Sequence, residues 1–182
     1  MLRHNAEKCA FGVGSGKFSG HMITTRAIEV NPDQITAIQQ LRPPTNPKEV
    51  QRLAGMITTL NRFVSRSGDR CRPFYQLLKK WKGFHWTEDC NLAFKDLKSY
   101  LACPPILSRS DSKKDLYMYL VASDHVVSSV MVRQHEGIQR SVYYLSKTLV
   151  DAETRYLTLE KMALALVYAM RKLPHYFQAH TI

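Results

Sequence analysis

At Pro104-Pro105 the hydrophobic period of this chain switches from about 3.6 to 2, and that change restricts the fold more than any other feature. Upstream, Val50, Leu53, Ala54, Ile57, Leu60 and Val64 recur at a period of about 3.6, as do Cys90, Ala93, Phe94, Leu97 and Leu101, which marks the buried faces of two helices. Downstream, the period drops to two. Leu116 to Val121, Val126 to Arg133 and Arg140 to Ser146 read as three strands, the second and third joined by a polar turn at His135-Glu136-Gly137. A long helix follows from about Thr158, with Leu159, Met162, Ala163, Leu166, Val167, Met170 and Leu173 as its apolar face and Pro174 disturbing its end. The expected class is α/β in the α+β sense: a helical unit, a break at the proline pair, then a three-stranded sheet with a helix.

Two helix starts are explicit. Asn31-Pro32-Asp33-Gln34 places an Asn at the N-cap and Pro at the first helical position, and Asn46-Pro47-Lys48-Glu49 repeats the device. Pro43-Pro44 ends the intervening helix, so a helical hairpin results. Thr87 caps the later helix. Residues 8 to 30 read as a hairpin with a following strand, turning at Gly14-Ser15-Gly16. Gly12, Gly14, Gly16 and Lys17 do not make a phosphate-binding loop, because Phe18 stands where that motif needs Ser or Thr. Residues 67 to 86 interleave Phe74, Tyr75, Trp81, Phe84 and Trp86 with Lys79, Lys80 and Lys82. That pattern suits base stacking, and more often it pins a linker to a core.

The chain carries 26 Lys and Arg against 15 Asp and Glu, a net charge of +11, with basic residues dominating between Lys48 and Lys98. Counterion release makes a polyanion the natural partner. Projected at 100° per residue, Lys48, Arg52, Arg62 and Arg66 fall within a sector of roughly 80° opposite the apolar face, a basic stripe. The four cysteines lack zinc-finger spacing and fit reduced thiols in cytoplasm or nucleus. No segment approaches the ~20 apolar residues of a membrane span, so neither a membrane role nor secretion is expected.

The order of several short motifs resembles one family. They are Glu7-Lys8-Cys9-Ala10-Phe11, Lys17-Phe18-Ser19-Gly20-His21, Pro47-Lys48-Glu49-Val50 with Leu53-Ala54-Gly55, Phe84-His85-Trp86-Thr87, Ser123-Asp124, Val142 to Lys147, and Glu153-Thr154-Arg155-Tyr156 with Glu160-Lys161. Collinear over nearly the whole chain, they resemble the Pol polyprotein of gypsy-class LTR retrotransposons, from the end of the reverse transcriptase palm onward. The resemblance implies a palm tail at 1–30, a thumb hairpin and connection at 31–105, and the opening of an RNase H-like domain at 106–182. It also implies RNA, DNA or RNA/DNA hybrid as partner, with Phe18 and Gly20 in the turn that grips a primer. Ser19 departs there from the family's Leu.

In the intact family magnesium serves both active sites. This chain contains no Asp-Asp pair of the polymerase kind. In the RNase H-like part, Val121 stands where the resemblance places the first metal-binding Asp, and only Glu160 matches a family carboxylate. An alkyl group offers a hard divalent cation no lone pair, and one carboxylate cannot hold two metal ions. Asp124, three residues on, is expected in a turn. His125, His135, His175 and His180 have no catalytic spacing to carboxylates or thiols. The expectation is a catalytically inert fragment that binds nucleic acid through Lys48, Arg52, Arg62 and Arg66 and needs no cofactor. Two other readings stand beside it: an interaction module that self-associates through the exposed edge of an incomplete sheet, and a transposon relic with no function.

Overall fold

The computed structural model describes residues 12–18, 21–24, 27–79, 84–111 and 114–182, with the side chain of Phe18 excepted. A small antiparallel sheet comes first, with strands β1 (Ser15–Phe18), β2 (His21–Thr24) and β3 (Ala27–Val30). Phe18 lies opposite His21. Ser15 and Gly16 therefore belong to a strand, and the expected Gly14-Ser15-Gly16 turn is corrected to a reversal after Phe18.

The two Asn-Pro signals then start helices α1 (Pro32–Gln40) and α2 (Pro47–Leu60). Asn31 Oδ1 accepts from the Asp33 amide at 3.1 Å, and Asn46 Oδ1 accepts from the Glu49 amide at 3.0 Å. Glu49 reaches back to accept from the Thr45 amide at 2.7 Å, so both sides of that helix start are satisfied. A 3₁₀ turn at Asn61–Phe63 ends α2, and two short helices follow, α3 (Ser67–Arg70) and α4 (Arg72–Lys79). Helix α5 (Glu88–Ala102) is capped by Thr87, whose hydroxyl accepts from the Cys90 amide. The apolar faces expected for α2 and α5 meet in one core: Ile38, Val50, Leu53, Ile57, Leu60, Phe63, Phe74, Leu97 and Leu101 are all fully buried.

Aromatic residues in the basic connection serve that core. Phe74 stacks on Trp86 with centroids 5.7 Å apart, Trp86 meets Phe94 edge-on at 6.1 Å, and the indole N–H donates to Asn91. Trp81, Lys80 and Lys82 lie outside the described residues.

Beyond Pro104-Pro105 the chain first returns to the sheet it left. Strand β4 (Leu107–Ser108) pairs with Ala27 and Ile28 of β3, and Leu107 is buried in the first core. The expected boundary is thus crossed by hydrogen bonds and packing. A second antiparallel sheet follows in the order β5-β6-β7, with β5 (Leu116–Ala122), β6 (Val126–His135) and β7 (Ile138–Thr148). Its Gly137 turn has φ 78°, left-handed backbone that glycine accepts without strain. A single turn, α6 (Asp151–Thr154), leads to α7 (Thr158–Lys172), and α8 (Pro174–Ala179) ends the chain.

The packing of α7 reverses the expectation. Lys161, Ala165 and Ala169 face the sheet and are buried, whereas Leu159 is 78% exposed and Leu166, Val167 and Met170 are also exposed. Of the expected face, Leu173 is buried and Met162 half-buried. Small alanines let the helix axis approach a sheet whose own side chains, Leu116, Leu120 and Met131 among them, supply the bulk. Periodicity shows that a stripe is apolar, not which neighbour covers it.

Candidate nucleic-acid interface

Val121 lies near the end of β5 with Tyr117 and Tyr119 on the same face, since strand side chains alternate. The register places Val121 opposite Ser128 and Tyr119 opposite Val130. This face is turned away from α7, and Val121 is 47% exposed. Glu160, the one carboxylate that the resemblance matched, is committed elsewhere: its Oε2 accepts from the Leu157 amide at 2.8 Å and caps α7. Asp124 sits in the bend after β5 with its side chain exposed, while its carbonyl accepts from buried Lys161 at 3.3 Å. Among the described residues no three His, Cys, Asp or Glu side chains converge as a ligand set. Donor chemistry around Val121 does not fit a magnesium ion.

His135 lies 3.8 Å from Glu136, and His175 and His180 rest against Tyr176, with His180 Nδ1 also 3.0 Å from the Lys114 carbonyl. These are surface and packing contacts.

The four basic residues do not form one helical stripe, because α2 ends at Leu60. Lys48 and Arg52 are exposed on α2 and, among the described residues, make no ion pair with a carboxylate. Arg52 borders two clefts, one of about 470 Å³ between α1 and α2 lined by Gln34, Ala37, Gly55 and Met56, the other of about 250 Å³ beside Arg42 and Pro44. Arg62 turns inward. Its guanidinium carbon stands 4.7 Å from the Tyr143 ring centroid and 5.7 Å from that of Phe63, and its Nε is buried without a hydrogen-bond partner. Arg66 adopts left-handed backbone at φ 52° and pairs with Asp69 at 3.1 Å. Phe18 closes the β1–β2 hairpin, and Gly20 lies outside the described residues.

Sequence reasoning missed the junction around Arg62. His21 of β2 packs on Phe63 at 5.3 Å, and burial, then the Arg62 charge, lowers its pKa. Nearby, Gly68 packs so closely on β6 and β7 that its amide donates to Ser146 Oγ at 3.0 Å. Ser123 Oγ donates to Asp69 Oδ1 at 3.1 Å. The sheet face bearing Val121 is therefore partly covered by the segment between α2 and α4. Only the alternation of Tyr117, Tyr119 and Val121 with core residues signalled that this face carries aromatic groups.

The outer edge of β5 is engaged at its first residue, where the Leu116 amide donates to the Thr181 carbonyl at 2.9 Å. Among the described residues no strand pairs with β5 on that side. None of the described helices is long and apolar enough to cross a membrane.

Comparison with known proteins agrees with this architecture. The family model described as the RNase H-like domain found in reverse transcriptase matches residues 86–182, more than half of the chain. The match begins at Trp86, upstream of the proline pair, and so includes α5. The Tf2-3 and Tf2-4 transposon polyproteins of Schizosaccharomyces pombe are each 27% identical over 176 residues, 96% of this chain. The chain spans only 13% of the length of those relatives. Among solved structures, the foamy viral protease-reverse transcriptase in complex with an RNA/DNA hybrid superposes with a TM-score of 0.77 at 23% identity, covering 92% of this chain and 23% of that one. Its complex with double-stranded DNA gives 0.74 at 23% identity, covering 88% and 34%. At that identity the likeness is one of fold.

Proposed function

The chain belongs to the family of RNase H-like domains found in reverse transcriptases, and from that premise we propose that it holds RNA, DNA or their hybrid without cutting it. The observation that carries the reading is Val121, an isopropyl group at the position where the resemblance places a metal-binding aspartate. Glu160, the remaining match, is used as a helix cap, so a two-metal site has neither of its expected anchors. Binding is favoured by the net charge of +11 and by Lys48 and Arg52, which stand exposed on α2 beside the α1–α2 cleft. The solved relatives whose fold it shares include complexes with an RNA/DNA hybrid and with double-stranded DNA.

Titrating the purified chain with a labelled RNA/DNA hybrid at low and moderate salt, with magnesium present, tests binding and cleavage together. The expected result is salt-sensitive binding with no product, and a salt slope about two charges shallower when Lys48 and Arg52 are both replaced by alanine. Cleavage by the pure chain would overturn the argument from Val121.

A second reading has its own observation: the β5 edge beyond Leu116 and the exposed Leu159, Leu166 and Met170 of α7 are surfaces suited to another protein or a second copy. Salt-insensitive association without nucleic acid would favour it.

A further inference from the structure

We infer that the face vacated by metal chemistry is a slot for one unpaired base of a single-stranded nucleic-acid end, stacked between Tyr119 and Tyr144 with its phosphate against Arg66. This inference rests on the nucleic-acid reading above and adds a second, separate contact to it. A cavity of about 190 Å³ lies on this face, lined by Ser65, Arg66, Tyr119, Val121, Val130 and Tyr144 among others.

Its shape follows from strand register. Tyr119 lies opposite Val130, and Val130 lies opposite Tyr144, so the two tyrosines flank a valine floor in one row across the sheet. Rows two strand spacings apart stand roughly 10 Å from each other, wide enough for one planar base between two rings. Both rings are tethered by their hydroxyls: Tyr119 accepts from Gln139 Nε2 at 2.7 Å, and the Tyr144 hydroxyl lies 2.8 Å from Ser141 Oγ. Tyr119 is nevertheless 49% exposed, an aromatic surface that the fold leaves bare. Ser128 and Ser146 beside the floor bond to each other at 2.9 Å, and Ser146 also accepts from the Gly68 amide.

Arg66 supplies the charge. It borders the cavity, its side chain is 58% exposed, and only Nε is used in its pair with Asp69, which leaves the terminal N–H groups for a phosphate. Its left-handed φ of 52° is an uncommon conformation for a non-glycine residue. Stacking tolerates any base, so single-strandedness rather than sequence is what the slot selects.

The test compares a blunt RNA/DNA hybrid with the same hybrid carrying a short single-stranded overhang that ends in 2-aminopurine, whose fluorescence falls on stacking. The overhang is expected to bind about tenfold more tightly than the blunt duplex, with quenching. Tyr119→Ala should abolish both preference and quenching, and Tyr119→Phe should keep both. Arg66→Gly, which suits the left-handed backbone, should keep the quenching, weaken binding and flatten the salt slope by about one charge. Wild-type chain that binds both duplexes equally, or Tyr119→Ala that retains quenching while melting normally, overturns the slot and leaves the broader reading standing. Binding of neither duplex overturns both.

Discussion

Replacing Gly68 by alanine should loosen the seam between α3 and the second sheet. A Cβ at this position would lie 2.8 Å from Ser146 Oγ, 2.8 Å from Val126 Cγ1 and 3.3 Å from Val126 Cγ2. All three atoms belong to strands held in a ladder, and Gly68 itself is buried, so relief requires α3 to move away from the sheet. Overpacking of this kind costs about 1–3 kcal/mol. Moving α3 also stretches the 3.0 Å hydrogen bond from the Gly68 amide to Ser146, a loss of about 1 kcal/mol. Better helix propensity of alanine returns at most about 1 kcal/mol. The net expectation is a loss of roughly 1–3 kcal/mol, or a melting shift of roughly 2–12 °C for a chain of this size. Gly55→Ala is the control, because Gly55 lies in α2 and an added Cβ meets nothing within 4 Å. It should stabilise by up to about 1 kcal/mol. Denaturant titrations of both variants and of Gly68→Ala/Val126→Ala measure the contrast. If Gly68→Ala matches the control, the close seam is not a stabilising contact and the reasoning fails; if the double variant recovers nothing of the packing loss, the clash is not with Val126.

Three further outcomes follow from particular groups. His21 has a pKa held below 6.5 by burial and by the Arg62 charge, so its neutral form favours the fold. Stability from this source is complete above pH 6.5 and is lost as pH falls through the depressed folded value; His21→Asn should flatten that limb in denaturation measured from pH 7.5 to 5. Burial pushes the Cys71 thiol up to about 12, while Cys103 is exposed, so alkylation at pH 8 mapped by mass spectrometry should mark Cys103 and spare Cys71. Val121→Asp should restore no hydrolysis of a hybrid with magnesium, because Glu160 still caps α7 and one carboxylate does not assemble a two-metal site; measurable turnover would refute that.

Most local signals in the chain were legible, the exception being the turn expected at Gly14-Ser15-Gly16, where Ser15 and Gly16 lie in β1. The Asn-Pro starts at Asn31 and Asn46, the Thr87 cap, the buried faces of α2 and α5 and the period-two strands all follow from dihedral preference, capping and alternation within a few residues. That Val121 offers a cation no lone pair is legible in the same way, since side-chain chemistry does not depend on the fold. The basic residues were legible only as a composition. Lys48 and Arg52 stayed on α2, but the helix stopped before Arg62 and Arg66, and a cation–π contact with Tyr143 drew Arg62 inward.

What the sequence by itself determined is therefore the long elements, their order and the family. Tertiary structure decided which faces meet. It put Lys161, Ala165 and Ala169 rather than the leucines of α7 on the sheet, joined Leu107 to β3 across the proline pair, and laid the Ser65–Asp69 segment over the face of Val121. A hydrophobic stripe lowers its free energy against any complementary surface, so the choice among partners depends on shape and distance between residues far apart in the chain, which no local pattern encodes.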